Sequence, residues 1–387
     1  MIKRPKICLF TAHSPSGGGG GAILRSLVPH LSAELDIDWR YLSPLPDEGR
    51  PDGWLGRPLM GGANPLRDIV ETAGMLIGTG AKRWSEIVGE IRSVDCDAYW
   101  IVSHNEGLPL ARCLVQSPDR PIHLTVHDDW AGALCARSKR YSFLSPIAAR
   151  LSDRVLRAVK SVDVVSDGMR SHYFARAGIN AEVVHRYIGE EKFSERKKES
   201  SQVRVGHVGS IYSKSDLRVV LGALKSYTDE LGVGAKVVFW GANLRSGELP
   251  EHLASCVDLR PNTDEGGIID AMQDCDFAYA AYPFSPRLQL FAQTSLPTKL
   301  STYVAARRPI LGHAPPDSTL SEFLAKTGVG RQWDNLNREI GYESIRDVLA
   351  MRPDAQCWDR AVAAYFGKTN VETMARLLRR AVCSPRN

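Results

Sequence analysis

Apolar positions along the chain fall into two repeating series of short continuous runs separated by stretches with three- and four-residue spacing. In the first half, runs at 6–12, 37–41, 97–103, 121–126, 162–165 and 181–185 predict strands. Helical spacing predicts helices over 22–35, 66–91 and 168–177, with one more between 105 and 121. In the second half strands are expected at 203–208, 236–240, near 257–259, at 277–281 and from 310, with helices over 216–231 and 267–275. Beyond Val329 the spacing is helical, and Thr369 with Glu372 forms a capping box that opens a helix to about residue 382, with Met374, Leu377, Leu378 and Ala381 on one face. Strands that are apolar throughout and alternate with helices predict parallel sheets covered on both faces, with ligands at the carboxyl ends of the strands.

The stretch 294–313 carries the most chemistry. Leu296, Leu300, Tyr303 and Val304 share one helical face, Pro297 and Thr298 can open the helix, Arg307 and Arg308 suit its last turn, and Pro309 ends it before a strand. Lys299 would then stand beside the free N–H groups of a helix start, including those near Leu300 and Ser301, which is a place for an anion. A further anion candidate is the loop after the first predicted strand, His13 to Gly21, whose glycines Gly18, Gly19 and Gly20 let backbone approach a phosphate or sugar. His104 and His127 each follow the carboxyl end of a strand. Residues 43–66, rich in proline, glycine and aspartate around Trp54, read as a long excursion that could border a second substrate.

The 294–313 stretch resembles the donor-binding signature of GT-B fold glycosyltransferases of the retaining family-4 type, Pro-Thr-Lys-Leu-x-Glu-Tyr-x-Ala-x-Gly-x-Pro. Pro297, Thr298, Lys299, Leu300, Tyr303, Ala305 and Pro309 match it; Thr302 stands at the family's ribose-binding glutamate and Thr294 at the other glutamate of its Glu-x7-Glu pair. The resemblance implies two Rossmann-like α/β domains facing a cleft, with an acceptor-side domain at 1–189, a charged linker at 190–201, a nucleotide-sugar donor domain at 202–366, and a terminal helix at 367–387 crossing back onto the first domain. It implies that Lys299 and Lys214 stabilise the departing diphosphate and that His127 contacts the transferred sugar. Gly209, Ser210, Gly241, Arg260, Thr298, Leu300, Ser301 and Thr302 would line the donor site, with Gly18, Gly19, Gly20 and His104 on the acceptor or phosphate loop. Ser210 stands where the family usually has an arginine. Retention would need no protein nucleophile if the donor phosphate guides the acceptor proton.

Composition narrows this further. The 387 residues, 43% hydrophobic and 24% charged, suit two ordinary domains. No apolar stretch nears the roughly 20 residues of a membrane span, and a cytoplasmic protein is expected. The net charge of +5 gives no ground for a nucleic-acid partner. Its basic clusters, Lys197-Lys198, Arg137 to Arg140 and Arg376 to Arg380, read as solvated faces that could also lean on the inner membrane face. Eight scattered cysteines signal neither zinc nor disulfides. Asp95-Cys-Asp97 and Asp274-Cys-Asp276 precede buried strands, at the wrong edge for ligand, and Asp163 repeats the pattern; a cap role is expected, with no catalytic metal and no cofactor beyond the nucleotide sugar as substrate. The acceptor, whether glycan, lipid-linked or small molecule, is illegible. Two other functions stay open: a nucleotide-sugar epimerase, for which no well-placed carboxylate pair is visible, and a non-catalytic binding or partner subunit, suggested by the two threonines.

Overall fold

The computed structural model describes residues 4–44, 52–60, 64–78, 82–137, 139–189, 202–245, 247–261 and 263–383. The linker expected at 190–201, with Lys197 and Lys198, lies outside the described residues, as do 45–51 and 61–63 of the excursion. The chain divides into two compact units: residues 1–187 with 369–387, and residues 188–368.

Among the described residues, unit 1 holds a seven-stranded sheet in the order β3-β2-β1-β4-β5-β6-β7. The strands are Lys6–Thr11 (β1), Asp36–Leu42 (β2), Trp54–Gly56 (β3), Ala98–Val102 (β4), Ile122–Val126 (β5), Ser161–Val164 (β6) and Glu182–Val183 (β7). Unit 2 holds a six-stranded sheet, β10-β9-β8-β11-β12-β13, from Gln202–Val208 (β8), Gly234–Trp240 (β9), Val257–Arg260 (β10), Phe277–Ala281 (β11), Ile310–His313 (β12) and Gly330–Trp333 (β13). Every pairing is parallel. Both units are Rossmann-like, and in each the strand order reverses once, between β1 and β4 and between β8 and β11. Strands connected to opposite sides diverge there, which opens a crevice at their carboxyl ends.

Apolar residues on both faces make these strands. In unit 2, Val238, Ala278, Ala280 and Ile310 pack with Leu300, Tyr303 and Val304 on one side, while Val237, Phe239, Phe277 and Leu311 pack with Leu217, Leu221 and Ile345 on the other. The two acids of the Asp-x-Asp patterns act alike. Asp97 accepts from the Lys6 amide (2.8 Å) and Asp276 from the Arg204 amide (2.8 Å), each fastening the first strand of its sheet at the amino edge. Asp163 departs from this reading. It lies inside β6, buried, and its Oδ1 accepts from His123 Nε2 (2.8 Å) and Thr125 Oγ1 (2.5 Å), while His123 Nδ1 meets Ser161 Oγ at 2.8 Å.

Other elements differ from the sequence pattern for local reasons. The helix expected over 66–91 is two, Pro65–Ile77 and Lys82–Ser93, because Gly78 takes a left-handed φ of 86° and stops the first. Trp54 belongs not to an irregular excursion but to edge strand β3, paired with Tyr41. Beyond Val329 the chain first makes β13, where only Trp333 is fully buried and the polar Arg331 and Gln332 hide the pattern. The helix Thr369–Val382 belongs to unit 1, burying Met374, Leu377 and Leu378 in that unit's core. No described helix is long and apolar enough to cross a membrane.

Candidate active site

The crevice of unit 2 is organised by Tyr303. Pairing of β8 with β11 ends at Gly206 opposite Ala278. Beyond that point the Tyr303 hydroxyl donates to the Tyr279 carbonyl (3.0 Å) and accepts from the Val208 amide (3.0 Å), satisfying backbone groups that the diverging strands leave apart. His207, buried in β8, donates from Nδ1 to the same carbonyl (3.0 Å). That bond fixes the tautomer, so Nε2 carries the lone pair and accepts from Lys299 Nζ at 3.2 Å. Burial, and then the Lys299 charge, lower the His207 pKa to about 3, so the ring is a neutral acceptor.

Lys299 also donates to the Ser210 carbonyl (3.3 Å) and lies 6.0 Å above the Tyr212 ring. The side chain as a whole is only half-buried, yet its amine sits among protein atoms deep enough that burial lowers its pKa from 10.5 to about 7. An ammonium has three donors and two are used here. Gly209, at the end of β8, has φ 77° and donates to the Trp240 carbonyl (2.8 Å), turning the chain so that the Ser210 carbonyl faces Lys299. Gly241, with φ 65°, ends β9 in the same way.

The remaining residues expected at the donor site divide. The amides of Leu300 and Ser301 already donate to the Pro297 and Thr298 carbonyls (3.0 and 3.3 Å), which removes them as anion donors; Thr298 makes no side-chain cap, and the helix Lys299–Ala305 has only seven residues. Of the groups expected to meet an anion at this helix start, the Lys299 side chain is the one left with a donor to give. Lys214 opens the helix Lys214–Leu231 and pairs with Glu248 at 2.6 Å, and Arg260 pairs with Asp258 at 2.9 Å, so each of these cations already has a carboxylate partner. Thr294 spends its hydroxyl on the Leu290 carbonyl (2.7 Å) within its own helix. Thr302 donates to Glu265 Oε1 at 3.4 Å. Arg307 and Arg308 lie past the helix rather than in its last turn: their amides return to the Val304 and Tyr303 carbonyls (3.0 and 3.2 Å), and Arg307, at the glycine position of the pattern, takes φ 49°.

In unit 1 the glycine run starts the helix Gly20–Leu31. Gly18 and Gly19 precede it, Gly19 with φ 58°. Gly20 is required by crowding: a Cβ there would stand 2.5 Å from His127 Nδ1 and 3.3 Å from His13 Cε1. His13, after β1, and His104, after β4, meet edge to face with ring centroids 6.0 Å apart. Neither ring nitrogen of the buried His127, nor His13 Nε2, has a hydrogen-bond partner among the described residues. Burial, reinforced by the neighbouring imidazoles, lowers both pKa values to about 3, so each ring presents one donor and one acceptor at neutral pH. The surrounding loops are tied together: Trp130 donates to the Asn105 carbonyl (3.0 Å), and Glu106 accepts from the Leu59 and Met60 amides (2.8 and 2.7 Å). Nothing in the sequence sets His13 beside His127, since only folding brings them together. His207 left a signal, a histidine inside an apolar strand two residues before a turn glycine. Among the described residues, no group of His, Cys, Asp and Glu is arranged to hold a metal.

The fold, two Rossmann-like units with parallel sheets, is that of the GT-B class. The chain is similar to sucrose-phosphate synthase from Thermosynechococcus elongatus (12% identity over 97% of this chain and 99% of that one, TM-score 0.64). It is also similar to α,α-trehalose 6-phosphate synthase from Burkholderia multivorans (12% identity, all of both chains, TM-score 0.63). A third is S. aureus MnaA solved with UDP (10% identity, 97% and 96%, TM-score 0.59). No family model matches the chain, and no curated protein matches it in sequence. At these identities the likeness is one of fold.

Proposed function

We propose that the protein is a glycosyltransferase that moves a sugar from a nucleotide-diphosphate-sugar to a hydroxyl acceptor, with retention and without a metal. The observation that carries this is the Lys299 amine, partly desolvated at the crevice of unit 2 and held by a neutral histidine and a carbonyl with one donor in reserve. Among the described residues this amine has no counter-charge, and a diphosphate supplies one; the same contact stabilises negative charge growing on the leaving group. Lys299 thereby does work that a divalent ion does elsewhere, while the Asp-x-Asp acids are engaged in fastening strands. The solved likeness with UDP bound supports a nucleotide as ligand. In unit 1 the unpartnered imidazole of His127 seeks a hydroxyl, and a sugar provides it.

A thermal-shift screen against UDP-, GDP- and ADP-sugars tests the reading, since a ligand of the native state raises Tm. One donor class is expected to raise Tm, with turnover persisting in EDTA. His127→Ala is expected to lower kcat more than donor affinity, because its contact strengthens as charge develops on the sugar. No shift with any donor, or turnover that needs added manganese or magnesium, would overturn it.

A further inference from the structure

The surface of unit 1 carries an apolar stripe that folding leaves in water. On the helix Pro65–Ile77, Leu66, Val70, Ala73 and Ile77 recur at four- and three-residue steps, which sets them in one line about 16 Å long. Leu66, Val70 and Ile77 are 76%, 70% and 59% exposed. The same helix turns an acid and a threonine inward: Asp68 and Thr72 are buried with Met75 and Leu76, and Asp68 accepts from the Tyr141 hydroxyl. A helix that served only to cover its own core would show the opposite arrangement.

The Tyr141 bond joins this helix to the next part of the face. Tyr141 belongs to the 3-10 helix Lys139–Leu144, which leads into the helix Ser145–Ala158, a neighbour of Pro65–Ile77. Phe143 and Ile147 are 62% and 44% exposed, and Arg150, Arg154 and Arg157 continue the exposed side beyond Ile147. Two adjoining elements therefore present five large apolar side chains to solvent.

Charge decides what covers them. Residues 65–77 and 137–160 contain eight Lys and Arg against three acids, an excess equal to the net +5 of the whole chain. Each acid is engaged: Asp68 with Tyr141, Glu71 with Arg67 at 2.8 Å, and Asp153 with Arg176 at 2.8 Å. A second copy seated on its own counterpart would set cation against cation, which disfavours a symmetric dimer here. Exposed Leu, Val, Ile and Phe within a basic surround suit the interface of an anionic bilayer, where apolar side chains enter the acyl boundary and arginines meet phosphate.

We propose that this face of unit 1 docks on anionic lipid bilayers, with Leu66, Val70, Ile77, Phe143 and Ile147 entering the acyl boundary and Arg150 and Arg154 meeting the headgroups. Docking of this kind needs nothing from the nucleotide site of unit 2, so either can hold without the other.

Co-sedimentation of the whole protein with vesicles of phosphatidylcholine, alone or with about a third phosphatidylglycerol, tests it at low and high salt. Wild type is expected to bind the anionic vesicles about 10-fold or more tighter than the zwitterionic ones, with the difference shrinking as salt rises. Val70→Asp should weaken binding about 10-fold or more, and Arg150→Gln and Arg154→Gln about 5-fold each. Arg346→Gln in unit 2, which removes the same charge elsewhere, should bind as wild type. All four positions are exposed, so each variant is expected to keep the wild-type Tm. Binding to neither vesicle, equal binding to both, or a Val70→Asp protein that binds as wild type overturns the inference. A loss in Arg346→Gln equal to that of either arginine overturns it too, and so does a dimer in sedimentation equilibrium that Val70→Asp dissolves, which would give the face to a second copy.

Discussion

At the scale of single residues, Lys299 is controlled by what its neighbours do with their protons. His207 gives its one proton to the Tyr279 carbonyl, so it can only accept from the lysine; a residue there that donated would repel it. The lowered Lys299 pKa sets a pH dependence whose sign can be worked out. Below about pH 7 the free protein carries the ammonium, and above it the amine must take up a proton to pair with a diphosphate. Affinity for a nucleotide sugar, whose diphosphate does not itself titrate in this range, is therefore expected to fall as pH rises from 7 to 9. Lys299→Ala should bind about 1–3 kcal/mol more weakly at pH 6.5 and show no such slope, which calorimetry in buffers of different ionisation enthalpy would check by counting protons. The same shift acts on stability: between the folded value near 7 and the unfolded 10.5 the unfolded chain binds more protons, so folding strengthens with rising pH relative to Lys299→Ala. The places of Lys299 at a helix start and of His127 after a strand were legible in the sequence because each follows a pattern, a proline-started helix or the end of an apolar strand. The place of His13 beside His127 was not, since it comes only from a partner far along the chain.

At the scale of elements, most strands were legible, and the two that were missed share a cause. β13 and β3 are short strands whose polar residues, Arg331 and Gln332 in one case and a glycine-rich setting in the other, erase the apolar run that identified their neighbours. The helix Lys299–Ala305 shows the reverse, a strong pattern over a short element. Its end is made by backbone bonds from Arg307 and Arg308, with Arg307 in the left-handed region at φ 49°. A side chain other than glycine there costs about 1–2 kcal/mol, part of which glycine would return to the unfolded chain as entropy. Arg307→Gly is accordingly expected to stabilise the protein by roughly 0.5–1 kcal/mol, read as a higher midpoint in urea with an unchanged slope.

At the scale of the whole molecule, the two units repeat one plan down to the acid that fastens the first strand of each sheet, Asp97 and Asp276. They differ in how the chain completes them. Unit 2 is one continuous segment, whereas the sheet of unit 1 is finished by the helix Thr369–Val382, whose Met374, Leu377 and Leu378 enter its core. Burying three such side chains is worth roughly 1.5–3 kcal/mol each, and Arg376 adds a bidentate pair with Glu182. A chain ending at Lys368 is therefore expected to keep unit 2 folded while unit 1 becomes sensitive to protease, which limited proteolysis with mass spectrometry would show.

Unit 2 is in effect an insertion within unit 1, and this sets an order in time as well as in space. During synthesis the first 187 residues emerge without the helix that closes their sheet and must wait for the roughly 180 residues of unit 2, a delay of about 10 to 40 seconds at ordinary elongation rates. Throughout that interval the apolar seat of the helix, with the Ser161, His123 and Asp163 chain on β5 and β6, has no cover from it. Unit 2, needing nothing that follows it, can fold first, so the part of the protein translated earlier is the part that matures last.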